Sequence, residues 1–204
     1  MSDVYSTTRR ALHAIAEQVL AGPEHRRTGE IALRVTTDGF ATTTAPDLRV
    51  TSTQLICDRG EFALNGATCA GLAAAAGVEV GPPVDLYSDL TGLGAEEPLM
   101  VDGAAAAQLM AALRRGDDAL RRLEPTQTPI LWPEHFDVAI TAAEVNYGVS
   151  PGDGYLAEPY AYVGLRKPRP GEFWNAPFGA ARPLRDLPGA ALDDFLARGR
   201  ELSR

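Results

Sequence analysis

The chain has 204 residues, of which 45% are hydrophobic and 23% charged, and its formal net charge at pH 7 is −8. These values are typical of a soluble globular protein with one substantial core or two small ones, and no run approaches the roughly 18 apolar residues of a membrane span. The acidic balance argues against a nucleic-acid partner, because phosphate contacts require a basic surface.

The first residues lack a basic stretch followed by an apolar one, so no secretion signal is expected and the predicted location is the cytoplasm. The two cysteines, Cys57 and Cys69, form no C-x-x-C motif. We expect buried, reduced thiols. The preference for Ala, Arg, Gly and Asp over Lys, Ile and Asn favours a high-GC bacterial source.

Residues 3–21 have apolar side chains at three- and four-residue spacing, which predicts an amphipathic helix that ends at Gly22-Pro23. His13 and Glu17 lie one turn apart beside the apolar stripe. We interpret them as a pair on the helix surface rather than as ligands.

From residue 29 the period changes to two, which predicts an antiparallel meander with a hairpin turn at Asp38-Gly39. The predicted strands are 31–35, 40–44, 49–53, 54–57 and 61–64. An alanine-rich helix follows at residues 68–76. Residues 78–100 are rich in Gly and Pro and predict a long connection with one short strand at 84–87.

Residues 104–123 predict a second long helix, with Asp102 as its N-cap and Gly116 as a weak point in its middle. Residues 187–204 predict a C-terminal helix. Between them, the aromatic segment 173–179 is expected to cap the end of a sheet or to close over it as a lid.

The chemically richest stretch begins at residue 130. If residues 130–141 form one strand, Glu134 lies in an otherwise apolar row, and His135 and Asp137 share the other face about 7 Å apart. Pro133 cannot donate to a sheet ladder, so it implies an edge, a bulge or a break. A bulge would place Glu134 and His135 on the same side.

Two further strands are predicted at 145–150 and 158–164. Three antiparallel strands would gather polar and aromatic side chains that can bind a polar small molecule or perform acid–base chemistry, with His135 as the titrating group. The predicted catalytic residues are His135, Asp137 and Glu134. The predicted ligand-binding residues are Asn146, Tyr147, Glu158, Tyr160 and Trp174. The alternative is that these residues are structural and satisfy backbone groups inside a well-packed sheet.

A metal site is not expected. His135-Phe136-Asp137 has the H-x-D spacing of a non-haem iron motif, but no histidine follows residue 135 to complete the set. The chain also lacks a nucleophile elbow, a phosphate-binding loop and a dinucleotide fingerprint, so no cofactor is indicated.

Five segments together resemble an uncharacterised, mainly actinobacterial protein family. They are T-G-E-I-A-L-R-V-T-T-D-G-F, L-W-P-E-H-F-D, N-Y-G-V-S-P-G-D, E-P-Y-A-Y-V-G and F-W-N, and they span most of the chain. Many relatives have Gly-Pro-Trp where this chain has Gly164-Leu165-Arg166. No established activity comes with the resemblance, so it implies no function.

The sequence therefore predicts an α+β protein with mainly antiparallel strands and helices at the N-terminus, middle and C-terminus. We expect a single unit with an N-terminal half, 1–100, and a C-terminal half, 101–204, that contains a three-stranded, aromatic-rich sheet. The leading functional hypothesis is a small-molecule-binding or enzymatic protein with its polar site on this second sheet. The alternative is a non-catalytic interaction or assembly protein, and a homo-oligomer fits either.

Overall fold

A computed structural model of the chain describes residues 3–83, 86–87, 90–167 and 169–204. The helices among them are α1 (Asp3–Ile15), a π-helix (Ala16–Ala21), α2 (Gly22–Thr28), α3 (Cys69–Ala76), α4 (Gly103–Leu123), a 3-10 turn (Leu184–Asp186) and α5 (Ala191–Leu202). The strands are β1 (Leu33–Val35), β2 (Gly39–Thr42), β3 (Arg49–Thr51), β4 (Gln54–Cys57), β5 (Gly60–Ala63), β6 (Ile130–Trp132), β7 (Asp137–Ala142), β8 (Val145–Ser150), β9 (Tyr160–Leu165) and β10 (Gly179–Pro183).

The strands pair antiparallel, and helices lie at the N-terminus, in the middle and at the C-terminus of the chain. The predicted α+β class is therefore confirmed. The short strand expected at 84–87 falls partly outside the described residues. Among the helices that the structure describes, none combines the length and apolar character that a membrane span requires.

The chain forms two compact units. The first contains Met1–Ala111 with Leu131–Phe136, and the second contains Ala112–Ile130 with Asp137–Arg204. In the first, β1 pairs with β2 and with β6, and the meander continues in order through β3, β4 and β5. In the second, the strand order is β10-β9-β8-β7. The turn that follows β6 therefore separates two groups of strands, and the two groups belong to different units.

The first unit has a helical N-terminus that does not stop where the sequence predicts. Gly22 donates its N–H to the carbonyl of Glu17, five residues back, and so closes a π-turn. Pro23 has no N–H, which leaves the carbonyl of Gln18 without a partner inside the helix. The N–H of Gly81 fills that role at 3.0 Å. The helix thus continues through Gly22-Pro23 as α2.

Close packing makes Gly22 necessary at this bend. A Cβ atom at this position would lie 1.7 Å from the carbonyl oxygen of Gly81. All six residues of the π-helix are buried, and they pack against β1, β2 and α3. Each large apolar side chain among them adds about 1.5–3 kcal/mol by leaving water. The π-helix is therefore the centre of the first core.

The second unit packs one face of its sheet against helices. Val138 on β7 lies opposite Val149 on β8, and Gly116 of α4 approaches both valines. Gly199 of α5 approaches Val163 on β9 in the same way. Small residues at these points let the helix backbones come close to the sheet.

The predicted three-stranded sheet of the second unit has a fourth strand, β10, which pairs with β9. Its sequence, Gly-Ala-Ala-Arg-Pro, lacks the β-branched and aromatic residues that signal a strand. Pairing with a well-formed neighbour outweighs this weak local preference. The predicted number of strands was wrong because tertiary contacts, rather than local preference, determine whether a short edge strand forms.

Replacing Gly116 by Ala changes the stability in opposite directions through helix propensity and through packing, so the sign of the change shows which effect is larger. Propensity alone predicts a gain of about 1 kcal/mol. A Cβ atom would, however, lie 2.6 Å from the Cβ of Val149 and 2.8 Å from a methyl group of Val138. Valine is stiff at χ1, so we expect overpacking to cost about 1–3 kcal/mol and the variant to be less stable in urea unfolding. A stabilised variant would contradict the close helix–sheet contact.

Candidate functional site

A tight turn interrupts residues 130–141, the stretch in which the sequence left one strand or a break at Pro133 open. β6 ends at Trp132 and β7 begins at Asp137. The N–H of Phe136 donates to the carbonyl of Trp132 at 2.8 Å and closes the turn. Of the edge, bulge or break that Pro133 implied, the structure shows the break, because proline cannot donate to the ladder. Glu134 and His135 lie in this turn rather than on the second sheet.

Phe136 holds the turn in place from inside the first unit. Its backbone has a φ of 51°, in the left-handed region, which costs a bulky residue about 1–3 kcal/mol. Its buried ring stacks on the imidazole of His13, with ring centroids 5.3 Å apart, and meets Phe40 edge-on at 5.5 Å. The aromatic contacts offset the backbone strain.

His13 is not the surface residue that the sequence suggests. Its side chain is only 18% exposed, and Nε2 lies 2.6 Å from the carbonyl oxygen of Pro133. Because a carbonyl only accepts, Nε2 carries the proton, and Nδ1 is the basic nitrogen of the neutral ring. Burial is the main cause that lowers the pKa of His13 to about 4; the hydrogen bond to Pro133 opposes it, and the charges of Arg9 and His135 add to it.

Glu17 is also buried, with 1% of its surface exposed. Its Oε2 accepts hydrogen bonds from the backbone N–H and the hydroxyl of Thr91, at 3.2 and 2.8 Å. Its Oε1 lies 3.7 Å from Nε2 of His13 and has no hydrogen-bond donor among the described residues. Burial raises the pKa of Glu17, and the bonds from Thr91 only partly oppose that effect.

Tyr87 and Cys69 lie near this carboxyl group. The Tyr87 hydroxyl is buried and has no hydrogen-bond partner in the part of the chain that the structure describes. Burial raises the pKa of Tyr87, and the charges of Glu17 and Glu134 raise it further. Burial and the charge of Glu17 raise the pKa of Cys69 to about 12, so this thiol is not a nucleophile at neutral pH.

The side chains of Glu134 and His135 contact each other on the outer side of the turn. Nε2 of His135 lies 3.2 Å from Oε1 of Glu134, and the two side chains are 62% and 31% exposed. The backbone of this turn is held by His13, through the carbonyl of Pro133. The accessible pair of Glu134 and His135 is thus linked, through the carbonyl of Pro133, to the buried pair of His13 and Glu17. We name this group the His13 cluster: His13, Glu17, Tyr87, Glu134 and His135.

Two other predicted site residues, Asp137 and Tyr160, belong to a network in the second unit. Asp137 is buried and accepts a hydrogen bond from the hydroxyl of Tyr162. Tyr160 donates to Asp153 at 2.5 Å. Burial, together with the charge of Asp137, raises the pKa of Tyr162 well above its usual value. Tyr162 and Tyr160 are therefore protonated donors, Tyr162 to the buried carboxylate of Asp137 and Tyr160 to the partly exposed carboxylate of Asp153.

Asn146 and Tyr147 point to opposite faces of β8. Asn146 is exposed and accepts a hydrogen bond from Thr141 at 2.7 Å. Tyr147 is fully buried, on the face that packs against the helices, and its hydroxyl lies 3.3 Å from that of Ser203. One ligand cannot contact both side chains from one side of the sheet.

Glu158 and Trp174 complete the predicted set. Glu158 forms an ion pair with Arg185. Trp174 meets the ring of Phe173 edge-on, with centroids 4.9 Å apart, and Phe173 stacks on Phe195 of α5. The aromatic segment thus packs on the C-terminal helix.

Sequence reasoning missed His13 and Glu17 as site residues, although one signal was present. Glu17 follows Ile15 and Ala16 and precedes Val19 and Leu20, so it interrupts an apolar stretch too wide for one helix face. A carboxyl group in such a stretch is costly to bury unless it is hydrogen-bonded. Around the π-turn, which no simple sequence pattern predicts, the side chains on every side of the helix are buried.

Across the described ranges, no group of three or more His, Cys, Asp or Glu side chains is arranged to hold a metal ion. Comparison of the chain with known protein families, with curated proteins and with solved structures finds no match in any of the three. The resemblance to an actinobacterial family stays a prediction.

Replacing His13 by Gln should flatten the acid dependence of stability. Above pH 6.5 the ring is neutral in both the folded and the unfolded chain. Between pH 6.5 and about 4 the unfolded chain binds a proton that the folded chain does not, so the free energy of unfolding falls as the pH falls. The shift corresponds to at most about 3 kcal/mol. Urea unfolding across this range measures it, and parallel curves for the two proteins would contradict the burial of a neutral ring.

Replacing Tyr162 by Phe should destabilise the second unit by about 1–3 kcal/mol, because buried Asp137 loses a hydrogen bond that stabilises its charge. Tyr155→Phe is the matched control, since that side chain is 46% exposed. Urea unfolding of both variants provides the measurement. Equal stability of the two variants would show that the Tyr162 hydrogen bond contributes nothing.

Proposed function

We propose that this protein binds a small polar molecule at the His13 cluster and exchanges a proton with it. The observation that carries the proposal is the carboxyl group of Glu17, which is buried and has one oxygen without a hydrogen-bond donor among the described residues. Leaving a polar atom in this state costs about 1–3 kcal/mol. Such a cost is typical of a site that a ligand completes.

The two buried titratable groups have pKa shifts in opposite directions. The pKa of His13 is lowered and that of Glu17 is raised, so a neutral imidazole lies next to a carboxyl group that keeps its proton to higher pH than usual. Environments that separate the pKa values of neighbouring groups are characteristic of acid–base pairs. The π-turn that carries Glu17 supports the same interpretation, since such turns are frequent at functional sites.

Four members of the His13 cluster then have a role. Glu17 is the interior proton donor. His135 is the proton acceptor on the solvent side, and Glu134 orients its ring through their 3.2 Å contact. His13 is a positioning residue, because its hydrogen bond to Pro133 fixes the turn that carries His135. Replacing either Glu17 or His135 by a residue that cannot transfer a proton should abolish proton exchange.

The test is a thermal-shift screen of the purified protein against a library of carboxylic acids, amines, polyols and nucleosides. We expect at least one compound to raise the Tm of the native protein and to raise it much less in Glu17→Gln and His135→Ala, because binding to the folded state stabilises it by mass action. Glu61→Gln is the matched control, since it makes the same chemical change at an exposed position on β5.

Two results would overturn the proposal. One is a library in which no compound raises the Tm of the native protein. The other is a compound that raises the Tm of the native protein and of both site variants equally, because binding would then occur elsewhere. A shift that Glu61→Gln retains and the site variants lose supports the His13 cluster.

A further inference from the structure

A second buried carboxyl group lies at a cavity one helical turn beyond the π-helix. Glu24 of α2 is only 3% exposed. Its Oε1 accepts hydrogen bonds from the hydroxyls of Thr43 and Thr44, both at 2.9 Å. Its Oε2 is buried, and no described protein group donates a hydrogen bond to it. The fold therefore fixes this carboxyl group firmly but satisfies only one of its oxygens.

The cavity beside Glu24 has a volume of about 340 Å³, within the range of small-molecule pockets. Its apolar wall includes Leu20, Leu48 and Val78, and its polar lining includes Glu24 and Arg27. All of these residues belong to the first unit. The lining thus combines an aliphatic surface with two carboxyl residues, Glu24 and Glu79, and two arginines, Arg26 and Arg27.

The two arginines at the cavity differ in how they are held. Arg26 donates to the backbone carbonyls of Glu79 and Gly81 and so fixes the cavity wall. Arg27 donates from Nη2 to the hydroxyl of Thr44, which itself donates to Glu24. Since a guanidinium has five N–H donors, Arg27 keeps donors for an anionic group.

We propose that this cavity binds a small zwitterionic ligand of the aliphatic amino-acid type, at a site separate from the His13 cluster. The ligand ammonium donates to Oε2 of Glu24 and so removes the cost of an unsatisfied buried oxygen. Its carboxylate accepts from Arg27 in a charge-assisted hydrogen bond. Its side chain lies against Leu20, Leu48 and Val78.

The test compares three probes that share one aliphatic side chain. L-Leucine has both charged groups, 3-methylbutylamine lacks the carboxylate, and 4-methylpentanoate lacks the ammonium group. Isothermal titration with the native protein should give an affinity in about the millimolar range or tighter for L-leucine, and at least about tenfold weaker binding for the other two probes.

Variants then locate the binding. Glu24→Gln keeps an acceptor for Thr43 and Thr44 but replaces Oε2 by an amide that cannot accept, and Arg27→Met keeps length without charge. Each should weaken L-leucine binding at least about tenfold, whereas Glu61→Gln should not. Val78→Trp fills the cavity without touching the carboxyl group, and should block binding even if Glu24→Gln fails to fold.

Three results would overturn the proposal. The first is no binding of L-leucine to the native protein. The second is equal affinity for L-leucine and 3-methylbutylamine, which would remove the role of Arg27. The third is unchanged L-leucine affinity in Arg27→Met and Val78→Trp, which would place binding outside this cavity.

Discussion

The hydrogen bond from the N–H of Gly81 to the carbonyl of Gln18 is the contact on which the first unit depends. The π-helix is buried on all sides, so its polar groups have no access to water and need protein partners. The irregular segment after α3 supplies them, because it also bonds the side chain of Gln18 at Leu93 and that of Glu17 at Thr91. A segment that looks like a featureless connection is thus the polar lining of a buried helix.

The same continuous helical segment carries both buried carboxyl groups, and the two groups have the same pattern of hydrogen bonds. Glu17 and Glu24 each have one oxygen that accepts two hydrogen bonds involving threonine and one oxygen without a described donor. Fixing one oxygen sets the direction of the other, which reduces the entropy that a ligand must remove on binding. The two sites differ in their neighbours: a neutral histidine lies beside Glu17, and an arginine lies beside Glu24.

Pattern reasoning finds regular elements whose local preferences agree with their packing. The antiparallel meander, α3, α4 and the class of fold are predictable from alternation, caps and Gly or Pro punctuation. The end of the first helix at Gly22-Pro23 was misjudged, because Pro23 leaves a carbonyl whose new partner, Gly81, lies in a distant segment. At Pro133 the sequence indicated an edge, a bulge or a break, and the structure shows the break. The grouping of His135 with Asp137 failed for that reason: the turn separates them. Of the residues predicted as a site, Glu134 and His135 lie in the His13 cluster, but its buried members require knowledge of what covers them.

Phe136 places opposite demands on one position. Its left-handed backbone is the conformation that glycine adopts without strain, whereas the space between His13 and Phe40 is filled only by an aromatic ring. Glycine would relax the main chain and empty the core, and any other apolar residue would keep the strain and lose the stacking. Every substitution of Phe136 therefore either keeps the backbone strain or loses the aromatic packing. The orientation of the turn, and of the acid–base pair that it carries, depends on this ring.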